Sequence, residues 1–262
     1  MDLRELPGTS TRRHPWELAR FGFFRDILDP TLRSAGTILD AGAGDAWFAA
    51  SLLEHCAPRS AGSTRPTGMA RTVVCWDSSY DPASRARLAV DDPRIELTRE
   101  RPRGRFDLIL ALDVLEHVAD DVGFLDQLVG ENLEPHGRIL INVPAWQALM
   151  SRHDEQLQHH RRYQPGQLTR VIEAAGLVVE QRGGLFHSLL MPRIVSVLRE
   201  RLVSNPDNGQ SAAGYTPLAW KRGRLAATLL YSALRVDNAI SHAAAARSVQ
   251  LPGLSAWALC HR

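Results

Sequence analysis

Eight residues able to hold or move charge crowd into eleven positions: His153, Asp154, Glu155, His159, His160, Arg161, Arg162 and Tyr163. An imidazole backed by a carboxylate is a proton acceptor near neutral pH. His153 or His159, oriented by Asp154, therefore has the chemistry to take a proton from a hydroxyl. Arg161 or Arg162 would grip a carboxylate or phosphate on an acceptor, with Tyr163 and Trp146 lining the same place. The block has two other readings. One is a polar network in which the arginines tie loops to acids. The other is a metal site, since His153, Asp154 and His159 are permissible ligand types; their spacing matches no recognised pattern, and no metal is expected.

A second group lies upstream, in TILDAGAGDAWFAA. An apolar run ends in Asp40, a small turn follows (Ala41, Gly42, Ala43, Gly44), and a helix-like stretch begins. Glycines there let a ligand approach the main chain, and the helix points its free N–H groups at whatever sits over the turn. The next apolar run, TVVCW, also ends in an acid, Asp77, placed to accept hydrogen bonds from the two hydroxyls of a ribose. A dinucleotide fingerprint wants a small residue three positions after the second glycine; this chain has Trp47. A carboxylate at Asp40 would repel a pyrophosphate and suits an ammonium. S-adenosylmethionine carries an ammonium and a sulfonium and no phosphate.

The elements that must position these residues alternate. Strands are expected at Thr37–Asp40, Thr72–Trp76, Ile95–Thr98, Phe106–Leu112, Arg138–Val143, Leu177–Gln181 and Leu254–Leu259, with helices between most of them. Pro135-His136-Gly137 reads as the turn before the fifth. FDLILAL is apolar throughout, as in a parallel strand buried on both faces. The pattern predicts an α/β fold: a doubly wound, seven-stranded, mostly parallel sheet of Rossmann-like type. Ligands in such sheets bind beyond the carboxyl ends of the strands, where Asp40, Asp77, Asp113 and Pro144 fall. Residues 14–30 predict a helix with Trp16, Ala19, Phe23 and Ile27 on one side; it serves packing, or as a lid that turns Trp16 and Arg20 to the pocket. Residues 185–250 predict a helical insertion before the last strand. Its second helix carries an apolar stripe of Leu218, Leu225, Leu229, Leu230, Leu234 and Ile240, for core, dimer contact or a cover. Residues 204–215 read as mobile.

The 262 residues are 44% apolar and 23% charged, and the formal net charge is +2. That balance gives no argument for nucleic acid as a partner. Cys56, Cys75 and Cys260 are too few and too scattered for a disulfide framework or a zinc site. No run reaches the ~18 apolar residues a membrane span needs, and the first residues have no apolar signal core. A single domain, 1–262, in the cytoplasm is the expectation.

Taken in order, ILDAGAGDAWFA, VVCWD, FDLILALDVLEHV, PHGRILINVPA and HHRRYQPGQLTRVIEAAGL resemble the successive motifs of class I S-adenosylmethionine-dependent methyltransferases over about residues 38–182. The chain is most similar to a subgroup with an HPWE-type N-terminus, an H-D-x4-H-x-R-R-Y block and a closing strand opened here by Pro252-Gly253-Leu254-Ser255. The resemblance implies that Asp40, Ala41, Gly42 and Gly44 hold the methionine part of the cofactor and that Asp77 and Ser78 hold the ribose. It places Leu112 and Asp113 beside the sulfonium; read from the residues themselves, His117 falls at the pocket rim and Arg20 clamps a carboxylate. Trp16, Trp146, Arg161, Arg162 and Tyr163 would hold the acceptor; His153, Asp154 and His159 would be catalytic. Two positions depart from the family: Ala46 replaces the third glycine of the turn, and Thr98-Arg99-Glu100 offers no acid in register for the adenine amine. The implied reaction is methyl transfer to a small-molecule or lipid-linked acceptor, at oxygen. Alternatives are a cyclisation or rearrangement promoted by the same cofactor, and a nucleotide-dependent oxidoreductase. The apolar helices after 185 are read as a homodimer surface or as a peripheral membrane contact using Arg193, Arg199 and Arg201.

Overall fold

From Leu108 on, alternate residues of β4 (Phe106–Leu112) enter two different cores. Leu108, Leu110 and Leu112 join one cluster, while Ile109 and Ala111 join the other. This period of two is what a strand buried on both faces requires. The computed structural model describes residues 13–57, 71–88, 90–203 and 223–262. Residues 1–12, most of the 56–70 loop, the 204–215 segment and Leu218 lie outside them.

The sheet has seven strands in the order β3-β2-β1-β4-β5-β7-β6. They are β1 (Thr37–Ala41), β2 (Thr72–Trp76), β3 (Ile95–Thr98), β4, β5 (Leu133–Pro144), β6 (Val178–Leu185) and β7 (Ser255–His261). All pairings are parallel except those of β7 with β5 and β6. On one face lie α1 (Pro15–Leu32), α2 (Trp47–Cys56) and Leu234 of α8 (Arg224–Ala245); on the other lie α4 (Asp121–Asn132) and α6 (Pro165–Ala174). Each fully buried Leu, Ile or Phe in these clusters contributes about 1.5–3 kcal/mol. The short α3 (Pro82–Arg87) buries no side chain. β1 pairs with β2 on one side and β4 on the other, so the strand order reverses there and opens a crevice at the carboxyl edge.

Three expectations are corrected. Helix α2, expected from about Asp45, opens at Trp47, because Ala46 is left-handed (φ 56°) and ends the turn. β5 begins at Leu133, so Pro135-His136-Gly137 lies within the strand, with a register irregularity against β4 between Phe106 and Leu108. β6 runs on to Leu185 through Gly183 and Gly184. A Cβ on Gly184 would stand 2.3 Å from the Leu251 carbonyl oxygen and 2.6 Å from Gly253 N, so the close approach of the 251–253 segment needs glycine.

In the insertion the apolar stripe divides between core and solvent. α7 (His187–Val203) and α8 follow β6, and α8 packs on α1. Of the expected stripe on α8, Leu234 is buried but Leu225, Leu229 and Ile240 face solvent; the buried companions are Asp237, Asn238 and Ser241. These polar groups are hydrogen-bonded, although Asn238 Oδ1 has no partner among the described residues. Asn238 Nδ2 donates to the Ala19 carbonyl (2.8 Å), and Asp237 accepts from Ser188 N (3.0 Å) and Oγ (2.7 Å).

Candidate active site

Four non-glycine residues with positive φ follow the carboxyl ends of strands: Ala46 after β1, Asp113 after β4, Trp146 after β5 and Phe186 after β6. Strain of this kind persists where surrounding structure over-determines it, and it clusters at functional sites.

The turn after β1 is held by main-chain bonds. Gly42 N donates to the Trp76 carbonyl at the end of β2 (2.7 Å), and Gly44 N donates to Asp77 Oδ2 (2.9 Å). Asp77 Oδ1 accepts from Ser79 N (2.8 Å), and Tyr80 Oη donates to the Gly44 carbonyl (2.7 Å). Asp77 therefore locks the turn; Ser78 beside it is exposed. Gly42 has φ 68°, and a Cβ there would lie 2.6 Å from Val114 Cγ2. Asp40 is only 3% exposed, and its Oδ2 has no hydrogen-bond partner among the described residues. Burial pushes its pKa up to about 7; Asp45 and Asp77 add to the rise, and Arg20 opposes it. A buried carboxylate with an unused oxygen fits a cation.

Helix α1 reaches over this crevice. His14, Pro15 and Glu17 of the HPWE sequence form a capped helix start: His14 Nδ1 accepts from Trp16 N (3.2 Å), and Glu17 Oε2 accepts from His14 N (3.1 Å). Arg13 pairs with Asp45 and lies over the Trp47 ring (4.7 Å). Arg20 stacks on Trp16 (4.7 Å) and pairs with Asp113. It does not offer a free guanidinium, because Asp113 already takes it. Asp113 Oδ1 accepts from Asn142 Nδ2 (2.6 Å), and its N–H donates to the Asn142 carbonyl (2.8 Å).

Beyond Asp113 the chain makes a 3-10 turn at Leu115–His117. Glu116 is buried, and neither carboxylate oxygen has a hydrogen-bond partner among the described residues. Burial, then the charge of Asp113, raises its pKa well above the ordinary range. The His160 N–H donates to the Glu116 carbonyl (2.7 Å), and the His117 and His159 rings meet edge-on, with centroids 4.7 Å apart.

Asp154, on α5 (Arg152–Gln156), is the hub of the downstream block. Its Oδ1 contacts His159 Nδ1 (3.2 Å), Arg162 Nε (2.8 Å) and an Arg162 terminal nitrogen (2.7 Å). Its Oδ2 accepts from Ser151 N (2.9 Å), Ser151 Oγ (2.9 Å) and Arg193 of α7 (2.8 Å). Burial alone would raise the pKa of Asp154, but the bonds from His159, Arg162 and Ser151 outweigh it and hold the group far below the carboxylate range. A carboxylate only accepts, so His159 Nδ1 carries the hydrogen and Nε2 remains for another partner.

Several expected roles are corrected by this geometry. His159, not His153, is the imidazole that Asp154 holds; His153 precedes Asp154 on α5, and successive helical residues diverge by ~100°. Arg162 is buried against Asp154 and does not reach an acceptor. Arg161 donates to the Ala119 carbonyl (2.5 Å) and pairs with Asp121 (2.8 Å). Tyr163 is fully buried, donating to Asp121 Oδ2 (2.7 Å), so it is a strut rather than an acceptor contact. Arg193 ties α7 to the hub instead of facing outward. Trp146 Nε1 donates to the Gly253 carbonyl (2.8 Å), and half-buried Trp16 packs edge-on against Phe186 (6.4 Å). No spacing in the sequence singles out Glu116; its burial, with both oxygens unused among the described residues, does.

The profile of the methyltransferase-domain family matches residues 16–182. A probable S-adenosylmethionine-dependent methyltransferase from Mycolicibacterium smegmatis is 27% identical over 164 residues, which are 59% of this chain and 57% of that protein. The chain thus spans little more than half the length of that curated relative. Two solved structures share the fold. The S-adenosylmethionine-dependent methyltransferase from Mesorhizobium loti has a TM-score of 0.54 and 16% identity, over 93% of this chain and 98% of that one. A putative sarcosine dimethylglycine methyltransferase from Galdieria sulphuraria has a TM-score of 0.51 and 15% identity, over 93% and 84%. With a family profile covering more than half of its length, the chain belongs to the methyltransferase-domain family, the class I S-adenosylmethionine-dependent methyltransferases.

Proposed function

We propose that the protein methylates a hydroxyl on a lipid-linked acceptor. The observation that carries this is the meeting at the end of β4. Asp113 faces the cofactor crevice, and three and four residues later Glu116 and His117 meet His159, which Asp154 orients. The cradle fits the cofactor: buried Asp40 has an oxygen for its ammonium, Gly42 and Gly44 leave room over the turn, and Asp77 and Ser78 stand ready for the ribose. When bound, S-adenosylmethionine supplies an electrophilic methyl group on its sulfonium. Leu112 and Asp113 border that end, with Arg20 and Asn142 fixing Asp113. His117 and His159 flank the acceptor oxygen and withdraw its proton. Trp16 and Trp146 wall the acceptor side. Alignment is the main contribution in such a displacement.

The insertion supports the lipid-linked class. Met191, Val195, Leu198 and Leu202 on α7, and Leu225, Leu229, Val236 and Ile240 on α8, form exposed apolar stripes. The exposed charged residues of these two helices are all arginines: Arg199, Arg201, Arg224 and Arg235. Apolar stripes edged by positive charge fit the surface of an anionic bilayer. No described helix is long and apolar enough to cross a membrane.

The test pairs two assays. Calorimetry with S-adenosylmethionine reads the cradle, and demethylated cofactor is then scored against hydroxylated acceptors with and without a lipid tail. His159→Ala is expected to lower turnover while leaving cofactor affinity within about twofold. Absence of cofactor binding overturns the reading. For the surface, sedimentation with phosphatidylglycerol vesicles is expected to carry the protein down, and Leu202→Glu with Leu229→Glu to release it. Equal binding to phosphatidylcholine, or a dimer that the same changes dissolve, overturns the bilayer as occupant.

A further inference from the structure

Glu116, His117 and His159 each bring one ligand-type atom, and these atoms lie within 4.8 Å of one another. A tetrahedral ion with bonds of ~2.0–2.2 Å sets its ligand atoms about 3.4 Å apart, so modest side-chain rotations close the gap. Three further features belong to a metal site. Glu116 is a buried carboxylate with both oxygens unused among the described residues. His159 gives Nδ1 to Asp154, the carboxylate–histidine arrangement that fixes a ligand's tautomer and orientation, leaving Nε2 for the ion. Asp154 is itself immobilised by Arg162, Arg193 and Ser151. The two segments are joined by the bond from His160 N to the Glu116 carbonyl (2.7 Å), so the ligand set does not depend on a loose loop.

We infer that Glu116, His117 and His159 bind one divalent first-row transition-metal ion, of the zinc, cobalt or manganese class, with Asp154 as a positioning residue. Two imidazoles and one carboxylate leave coordination positions open. This deepens the function proposed above: the ion takes an acceptor oxygen in an open position and lowers the pKa of its hydroxyl. The O–H bond breaks, the electron pair stays on the oxygen, and the proton passes to water. An imidazole bound to the ion takes no proton, so withdrawal by His117 and His159 becomes withdrawal through the metal they hold.

The experiment needs neither cofactor nor acceptor. The full chain, stripped with a chelator, is titrated with Zn(II) against a chromogenic indicator. About one equivalent is expected to bind. Glu116→Gln, His117→Ala and His159→Ala are expected to weaken it by more than tenfold, and Asp154→Asn by ~10–100-fold. No stoichiometric binding, or affinity unchanged in His117→Ala and His159→Ala, overturns the site. Should a variant fail to fold, the Co(II) form of the unaltered protein decides. Two hyperfine-shifted, exchangeable imidazole N–H signals support the site, and none overturns it. Methyl transfer that survives chelation would remove the ion and leave the methyltransferase reading intact; loss of cofactor binding would do the reverse.

Discussion

Asp40 and Asp154 are both buried carboxylates, and they are opposites. Asp40 keeps an oxygen unused and is pushed up to about pH 7, mainly by burial. Asp154 has both oxygens saturated by two arginines, a histidine and a serine, and it is held far below the ordinary range. An unsatisfied buried acid waits for a cation from outside; a saturated one spends its charge on holding other groups still. On the proposed reading, the donor side of the site is completed by a ligand. Around Asp154 the same reading places the acceptor beside a rigid internal scaffold.

The largest effect should come from breaking the saturated acid. Asp154→Ala leaves Arg162 and Arg193 with buried, uncompensated charge and should cost about 3–5 kcal/mol in urea denaturation. Replacing Arg162 by Met in the same chain should return part of that loss. If Asp154→Ala is neutral, the contrast with Asp40 collapses.

Asp40→Asn should act oppositely. Cofactor affinity should fall by ~10–100-fold, the worth of a hydrogen bond to a charged group at ~1.5–3 kcal/mol. Stability of the free protein should hold or rise, because an unpaired buried acid is removed. Calorimetry beside thermal melting reads both.

The same carboxyl predicts a pH dependence. Below about 7 Asp40 carries a proton in the free protein, and that proton must leave before an ammonium can pair with it. Affinity should therefore fall by about tenfold per pH unit on going down from 7 and level off above it. In Asp40→Asn the slope should vanish.

Two smaller changes probe the turn. Gly42→Ala forces a side chain to φ 68° and against Val114, which should cost about 1–2 kcal/mol and weaken the cofactor further. Ala46→Gly relieves a left-handed alanine (φ 56°) and should raise stability by up to about 1 kcal/mol, less the added freedom of the unfolded chain. A loss of stability there would mean the alanine is held by packing and not strained.

Much of the fold was legible because its signals are local. The continuous apolar run of β4 and the glycines between β1 and α2 act within a few residues of themselves. The strand expected to stop at Gln181 runs on through Gly183 and Gly184 because a distant segment at 251–253 packs against Gly184, a contact no local signal carries. For α8 the stripe left core, dimer contact and cover open, and only the folded chain divides it: Leu234 is buried beside Asp237, Asn238 and Ser241, while Leu225, Leu229 and Ile240 stay exposed.

By itself the sequence determined the α/β alternation, the acid-then-glycine turn after β1 and a carboxylate, Asp40, buried in that strand. Each follows from backbone sterics or from a charge whose burial is implied by its strand. Only the tertiary structure decided that Asp154 holds His159 rather than His153, that Arg162, Arg193 and Tyr163 are struts, and that Glu116 meets His117 and His159. Those outcomes depend on which of several equal charges the folded chain brings within about 3 Å, the range of a hydrogen bond, and spacing along a sequence does not carry that distance.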